Sequence, residues 1–265
     1  NAQQKYYQLL EKDKFNKVAK KAGKDLLKSP NDFMLNHIHA ILYSSREFKK
    51  YNTDKAYDYI VVTHRLYANI TDQKKRDKLQ KKEINDSSLA KDLQTICQKA
   101  LVDALEKNTI TDFQYYIDFY LRADLEKRQV AVHKRNKLAY SKALSINTIE
   151  SFEDFIEKYP NAKELENAKA NLNKLAFIRA QSINTIESFE YFIEKYPNAK
   201  ELENAKVNLN KLAFDKAKQT NTIKSYQTFI DSYSDANQIS QATELRDQLA
   251  FNLAERNNTS DAYMS

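Results

Sequence analysis

Glycine is almost missing: Gly23 is the single one in 265 residues, beside three prolines, one cysteine and no tryptophan. Glycine and proline supply the left-handed and φ-locked positions on which tight turns depend. A chain this poor in both has little material for hairpins or a β-sandwich. One thiol leaves no internal disulfide, and Cys97, set among Leu93, Ile96, Ala100 and Leu101, reads as a small buried hydrophobe. No run of about 18 apolar residues is present, so no membrane-spanning segment is expected. Phosphate-cradling glycine loops, paired cysteines and a His-Glu-x-x-His pattern are missing as well. His37 and His39, two apart on a helix, point about 200° from one another and cannot chelate one ion. These absences point away from an enzyme, and no catalytic, metal-ligating or cofactor-binding residue is expected.

What remains is rich in Lys, Glu, Ala, Leu, Asn and Tyr, a composition that predicts an all-α chain. Charge is uneven. Residues 1–140 carry 28 basic and 18 acidic side chains, residues 141–265 carry 15 and 18. The basic front half is the side an acidic partner or an anionic lipid surface would meet. Nucleic acid is disfavoured, because the most basic stretch, residues 72–83, has no aromatic interleaved to stack on bases.

The strongest signal is a duplication. Residues 145–181 recur at 182–218, differing only at Asp154/Tyr191, Ala170/Val207, Ile178/Asp215, Arg179/Lys216 and Gln181/Lys218. A looser copy follows at 219–255, and self-similarity at such a period marks stacked helical units. In the first copy Phe152, Phe155, Ile156 and Tyr159 fall on one helical face, with Asn147 and Glu150 as the predicted capping box. Tyr159-Pro160 is expected to close this helix. A second helix, with Asn161 and Glu164 as its predicted cap pair, carries Leu165, Ala168, Leu172 and Leu175. The second copy repeats these positions as Phe189, Phe192, Ile193, Tyr196, Leu202, Ala205, Leu209 and Leu212. The third has Tyr226, Phe229, Ile230, Tyr233 and Leu249. A disguised unit precedes them, with Phe113, Tyr116, Ile117 and Tyr120 in the same spacing and a two-residue insertion expected near 121–126. Repeats are therefore expected at 108–144, 145–181, 182–218 and 219–255, with a frayed tail at 256–265.

Ahead of them, residues 1–70 read as further helix pairs. Tyr6, Leu9 and Leu10 mark the first helix; Phe15 to Leu27 is a second, stopped by Pro30; residues 33–48 form a third; Thr53 is the predicted cap of a fourth. Residues 71–107 read as a charged segment plus a connecting helix. The phrases KFNKVAKKAGKDLLKSPND and KYNTDKAYDYI resemble the tetratricopeptide repeat. The later F-x-x-F-I-x-x-Y-P-x-A units resemble the divergent tetratricopeptide repeats of bacterial envelope proteins such as the outer-membrane assembly lipoproteins. The resemblance implies a right-handed α-solenoid of stacked helix–turn–helix repeats. It also implies an exported, periplasmic or outer-membrane-associated setting, with a cytoplasmic one as the alternative. Asn1-Ala2 reads as the remnant of a cleaved tag, which would start the natural segment near Gln3.

Seventeen tyrosines without a tryptophan are unusual. Tyr6, Tyr7, Tyr115 and Tyr191 lie beside already satisfied apolar stripes, where a ring with a hydrogen-bonding tip suits an interface. The expected function is a non-enzymatic scaffold holding a protein or peptide, with self-association also open. The alternatives are a basic module using residues 1–140 against nucleic acid or anionic lipid, and the docking arm of a longer protein.

Overall fold

A computed structural model describes the backbone of residues 2–264 and the side chains of residues 3–256. The two outermost residues, Asn1 of the expected tag remnant and Ser265 of the expected tail, lie outside it. Among the described residues every regular element is an α-helix. Among the same residues no helix is long and apolar enough to cross a membrane. The chain divides into two compact units at Ala139/Tyr140, a boundary that falls inside one helix rather than at the expected joins near 70 and 107.

The first unit contains α1 (Ala2–Leu10), α2 (Phe15–Lys28), α3 (Phe33–Tyr43), α4 (Thr53–Ala68), α5 (Gln73–Gln80), α6 (Asp86–Lys107) and α7 (Ile110–Phe119). It also holds most of α8 (Leu125–Ile146). α3 packs along α4, and α4 packs in turn on α6. The stretch expected as a charged segment and connector does not stand apart. Leu79 of α5 and Leu89, Leu93, Ile96 and Cys97 of α6 are buried in the same core as Phe33, Ile60 and Phe113. α3 ends at Tyr43 instead of running to residue 48. Asn52, not Thr53, caps α4, its side chain accepting from the Lys55 amide at 2.8 Å. Thr53 is freed to donate to Asp103 at 3.3 Å.

The second unit holds three helix pairs: α9 (Ile149–Lys158) with α10 (Leu165–Ile183), α11 (Ile186–Lys195) with α12 (Leu202–Thr220), and α13 (Ile223–Ser232) with α14 (Ile239–Met264). From α9 to α14 each helix packs on the next. The junctions are built from an Asn-Thr pair, one residue away from the predicted cap. Asn184 and Asn221 close the preceding helices in the left-handed region, φ 53° and 48°, a conformation asparagine tolerates better than other residues with a Cβ. Thr148, Thr185 and Thr222 are the N-caps, each in a reciprocal box with the serine three residues on. That serine hydroxyl also donates to the helix before it: Ser188 to the Ala180 carbonyl and Ser225 to Ala217, both at 3.0 Å. Asn147 and Glu150 are thus not a capping box; Asn147 has φ 53° and its amide returns to Ala143. Glu164 forms no side-chain cap bond, so Asn161–Glu164 is not one either.

The turn within each pair is set by tyrosine and alanine rather than by proline. Tyr159, Tyr196 and Tyr233 share φ near −130° and ψ near 55°, although Ser234 stands where the first two have Pro160 and Pro197. The tyrosine carbonyl accepts from Ala162, Ala199 or Ala236, and all three alanines are buried. Tyr120 and Ala123 make the same bond in the first unit. The inserted residues therefore lie in α8, which has 22 residues against 19 in α10. α14 runs to Met264, so a helix occupies the backbone where a frayed tail was expected; no glycine or proline interrupts it.

Rings at the end of each second helix lie on the first helix of the next pair. Tyr140 meets Phe155 at 5.4 Å between centroids, Phe177 meets Phe192 at 5.5 Å, and Phe214 meets Phe229 at 5.3 Å. Each phenylalanine then leans on its own turn tyrosine: Tyr159, Tyr196 or Tyr233. Phe152, Phe189, Tyr226, Ala168 and Ala205 are buried; Ile117, Ile156, Ile193, Ile230, Leu165, Leu175, Leu202, Leu212 and Leu249 are half-buried. Removing the ring in Phe189→Ala or Phe192→Ala should cost about 3–5 kcal/mol, since both sites are closed. Asn184→Ala should cost about 1 kcal/mol through its positive φ, with Asn184→Gly close to neutral. Urea denaturation of the four variants checks the order.

Candidate functional site

Three grooves occupy the same register of the repeat. Between α9, α10 and α11 lies a cavity of about 440 Å³. Its buried lining is Ala176, Ala180, Phe192 and Tyr196, and Arg179, Ile183, Tyr191 and Lys195 stand around it. Thirty-seven residues on, between α11, α12 and α13, a cavity of about 420 Å³ is lined by Ala213, Ala217, Phe229 and Tyr233, with Lys216, Thr220, Thr228 and Ser232 in the corresponding places. In the first unit the end of α6, the start of α4 and α7 enclose about 480 Å³ lined by Ala100, Ala104, Tyr116 and Tyr120. There Asp103, Lys107, Tyr115 and Asp112 take the slots of Arg179, Ile183, Tyr191 and Ser188.

The shared geometry has a local cause. Small alanines one turn apart on the second helix leave room beside the aromatic of the next first helix, and the Asn-Thr junction holds those two helices in register. The buried lining is therefore constant. The outer slots bear less on packing, although Tyr115 stacks on Phe119 at 5.3 Å between centroids, and their chemistry varies. Tyr191, at 59% exposure, and Tyr115, at 48%, are the two large aromatics left in the open at this slot. Two of the four tyrosines singled out from the sequence are thus groove residues.

The other two are not. Tyr6 is buried between helices and its hydroxyl donates to Asp25 at 2.5 Å; that bond and burial lift its pKa to about 12. Tyr7 is half-buried against the His37 ring, with its hydroxyl 2.8 Å from Nδ1. His37 Nε2 lies 2.9 Å from Asp92 Oδ2. This Tyr–His–Asp chain ties α1, α3 and α6 together. Burial, followed by the charges of Asp92 and Asp32, pushes the Tyr7 phenol well above its usual value, the opposite of an activated nucleophile. The spacing of His37 and His39 sets them aside as a metal pair and offers no other role for His37; His39 Nδ1 bonds the Leu35 carbonyl at 2.7 Å. Cys97 is buried, and burial raises its thiol to about 12.

In the α9–α11 groove Lys195 Nζ donates to Glu153 at 3.1 Å and lies 5.6 Å from the Tyr191 ring centroid. The Glu153 hydrogen bond, then those with Tyr191 and Tyr196, raise its pKa. The pair is more than a third exposed, so its worth to folding is small. The first-unit groove is denser in hydrogen bonds. Tyr115 and Tyr120 both donate to Asp54, at 3.0 and 2.5 Å, and Tyr51 donates to Asp103 at 2.9 Å. Desolvation first, then the hydrogen bond to the carboxylate, brings Tyr51 and Tyr115 to about 12. Such an array can hold and orient a ligand; its hydroxyls are poor proton acceptors.

An unfolded chain loses its phenolic protons near pH 10, whereas folded Tyr6, Tyr51 and Tyr115 keep theirs to about 12. Folding stability from these groups is complete below pH 10 and falls as pH rises from 10 to 12. Ultraviolet titration of tyrosinate should show a late-ionising class, and Asp54→Asn should bring Tyr115 down towards 10. Simultaneous ionisation of all tyrosines near pH 10 in the folded protein would contradict the groove network.

No protein-family model matches this chain, and no curated protein is significantly similar to it.

Proposed function

We propose that the chain is a non-enzymatic helical-repeat scaffold, a right-handed α-solenoid of tetratricopeptide type, whose grooves hold a protein or peptide. The observation that carries this reading is the recurrence of one groove at one register, with a constant buried lining and variable outer residues. A surface kept for packing alone has no need of exposed Tyr115 and Tyr191 at equivalent slots. Stacked helix pairs offer a long concave face on which binding is spread over several units. An exported, envelope-associated setting follows from the resemblance of the repeat sequence and belongs to the same proposal.

The grooves are tested by selecting peptide binders against the whole protein and re-measuring them on Tyr191→Asp. Asp154 already fills this slot one repeat earlier, so the variant should fold with an unchanged Tm. Binders should lose about tenfold in affinity, the scale of an aromatic anchor at an interface. Binders indifferent to this change, and to Thr228→Ala in the next groove, would remove the reading.

A second reading, an anionic partner on the basic front half, has one observation in its favour. Lys75, Lys78 and Lys82 rim a cavity of about 450 Å³ whose other lining includes Phe33, Met34, Leu66 and Ile70. Binding to anionic vesicles that falls steeply with salt and is lost on changing the three lysines to glutamine would support it. Vesicle binding that survives those changes would count against it.

A further inference from the structure

We infer that the first-unit groove is built for the cationic side chain of a basic peptide, resting on the groove reading above and adding the class of segment that enters. The slot that is Arg179 and Lys216 in the second unit is Asp103 here, and the Ser188 and Ser225 slot is Asp112. Asp54 and Glu106 complete four carboxylates around a cavity that four tyrosines also line.

Three of these carboxylates already have cations: Asp103 and Glu106 share Arg46, and Asp112 has Lys107. Asp54 has none among the described residues; its partners are the hydroxyls of Tyr115 and Tyr120. Asp58 lies one turn further along the same face of α4, again without an ion pair, and like charges at that spacing repel. Its carboxyl is held above the ordinary range by desolvation and then by the charge of Asp54. Lys55, the next residue in sequence, is turned to the Tyr43 ring, 5.4 Å from its centroid. Uncompensated negative charge beside aromatic faces is the setting in which a guanidinium or ammonium is held by ion pairing and by the ring quadrupole together.

The rim itself shows how such a set receives a guanidinium. Arg46 donates to Asp103 at 2.9 Å and to Glu106 at 3.2 Å while its guanidinium carbon sits 5.8 Å from the Tyr51 ring centroid. A peptide arginine or lysine entering beside Tyr115 would meet the same combination at Asp54. In the α11–α13 groove Lys216 takes the slot of Asp103 and Thr228 that of Tyr115, and Lys224 also lines the cavity; the two lysines would repel the same segment, so these two grooves are not interchangeable receptors.

The test uses the whole isotope-labelled protein, a hexa-arginine peptide and its neutral citrulline counterpart at physiological salt. The arginine peptide should shift the amides of Asp54, Asp112 and Tyr115 and bind at least tenfold more tightly than the citrulline form. Tyr115→Thr should weaken it about tenfold, as should Asp112→Ser. Both variants place residues the chain uses at these slots in the second unit, Thr228 and Ser188, so both should fold; loss of the Tyr115 bond to Asp54 should lower the Tm of Tyr115→Thr by a small amount, with Asp112→Ser close to the parent. Equal binding of the two peptides in this groove would overturn the charge selection and leave the groove reading standing. Shifts scattered over the surface and insensitive to both variants, or no shifts at all, would overturn the site. The loss of selected binders on Tyr191→Asp is measured separately, so failure of one does not mask failure of the other.

Discussion

Everything in the second unit depends on one contact: a ring at the end of a second helix laid on the phenylalanine of the next first helix, with the turn tyrosine behind it. The short helices carry only ten residues each, too few to be stable alone in water. Their apolar faces are covered only when a neighbouring pair supplies Tyr140, Phe177 or Phe214. Packing between pairs is therefore a condition of helix formation here. The same slot in the last pair is Phe251, which is 59% exposed.

That constraint separates positions into two kinds. Alanines at 176, 180, 213 and 217 and the aromatics facing them must stay small and large respectively, because a closed interior tolerates neither a void nor an added methylene. The slots one step outward are free of this demand. There the chain places Tyr115, Tyr191 or Thr228, and Asp103, Arg179 or Lys216. Variation allowed by packing is the raw material of recognition, which is why the grooves share a shape and differ in charge.

The first unit follows a looser version of the same plan, and polar contacts do part of the work. Tyr7, His37 and Asp92 join three helices through side-chain hydrogen bonds, and Asp54 gathers two tyrosine hydroxyls, from Tyr115 in α7 and Tyr120 at its C-cap. Hydrogen-bonded groups between helices specify a single arrangement, because each loses a partner if the helices slide.

Helical class, the 37-residue period and the buried faces were legible in the sequence because they are written in local composition and spacing: a near-absence of glycine, a duplicated segment, and aromatics at i, i+3 and i+7. The flank positions of Tyr115 and Tyr191 were legible for the same reason, lying one step off a stripe whose period is known. Cap identities were misplaced by one residue, since Asn and Thr are both good caps and only the left-handed backbone at Asn184 and Asn221 tells the C-terminal residue from the N-terminal one. Tertiary structure alone decided the rest. It joined α5 and α6 to the first core, took Tyr6 and Tyr7 out of consideration as surface anchors, and brought Asp54 to residues more than sixty positions away. Such pairings depend on which helix faces meet in space, a long-range outcome that no local pattern encodes.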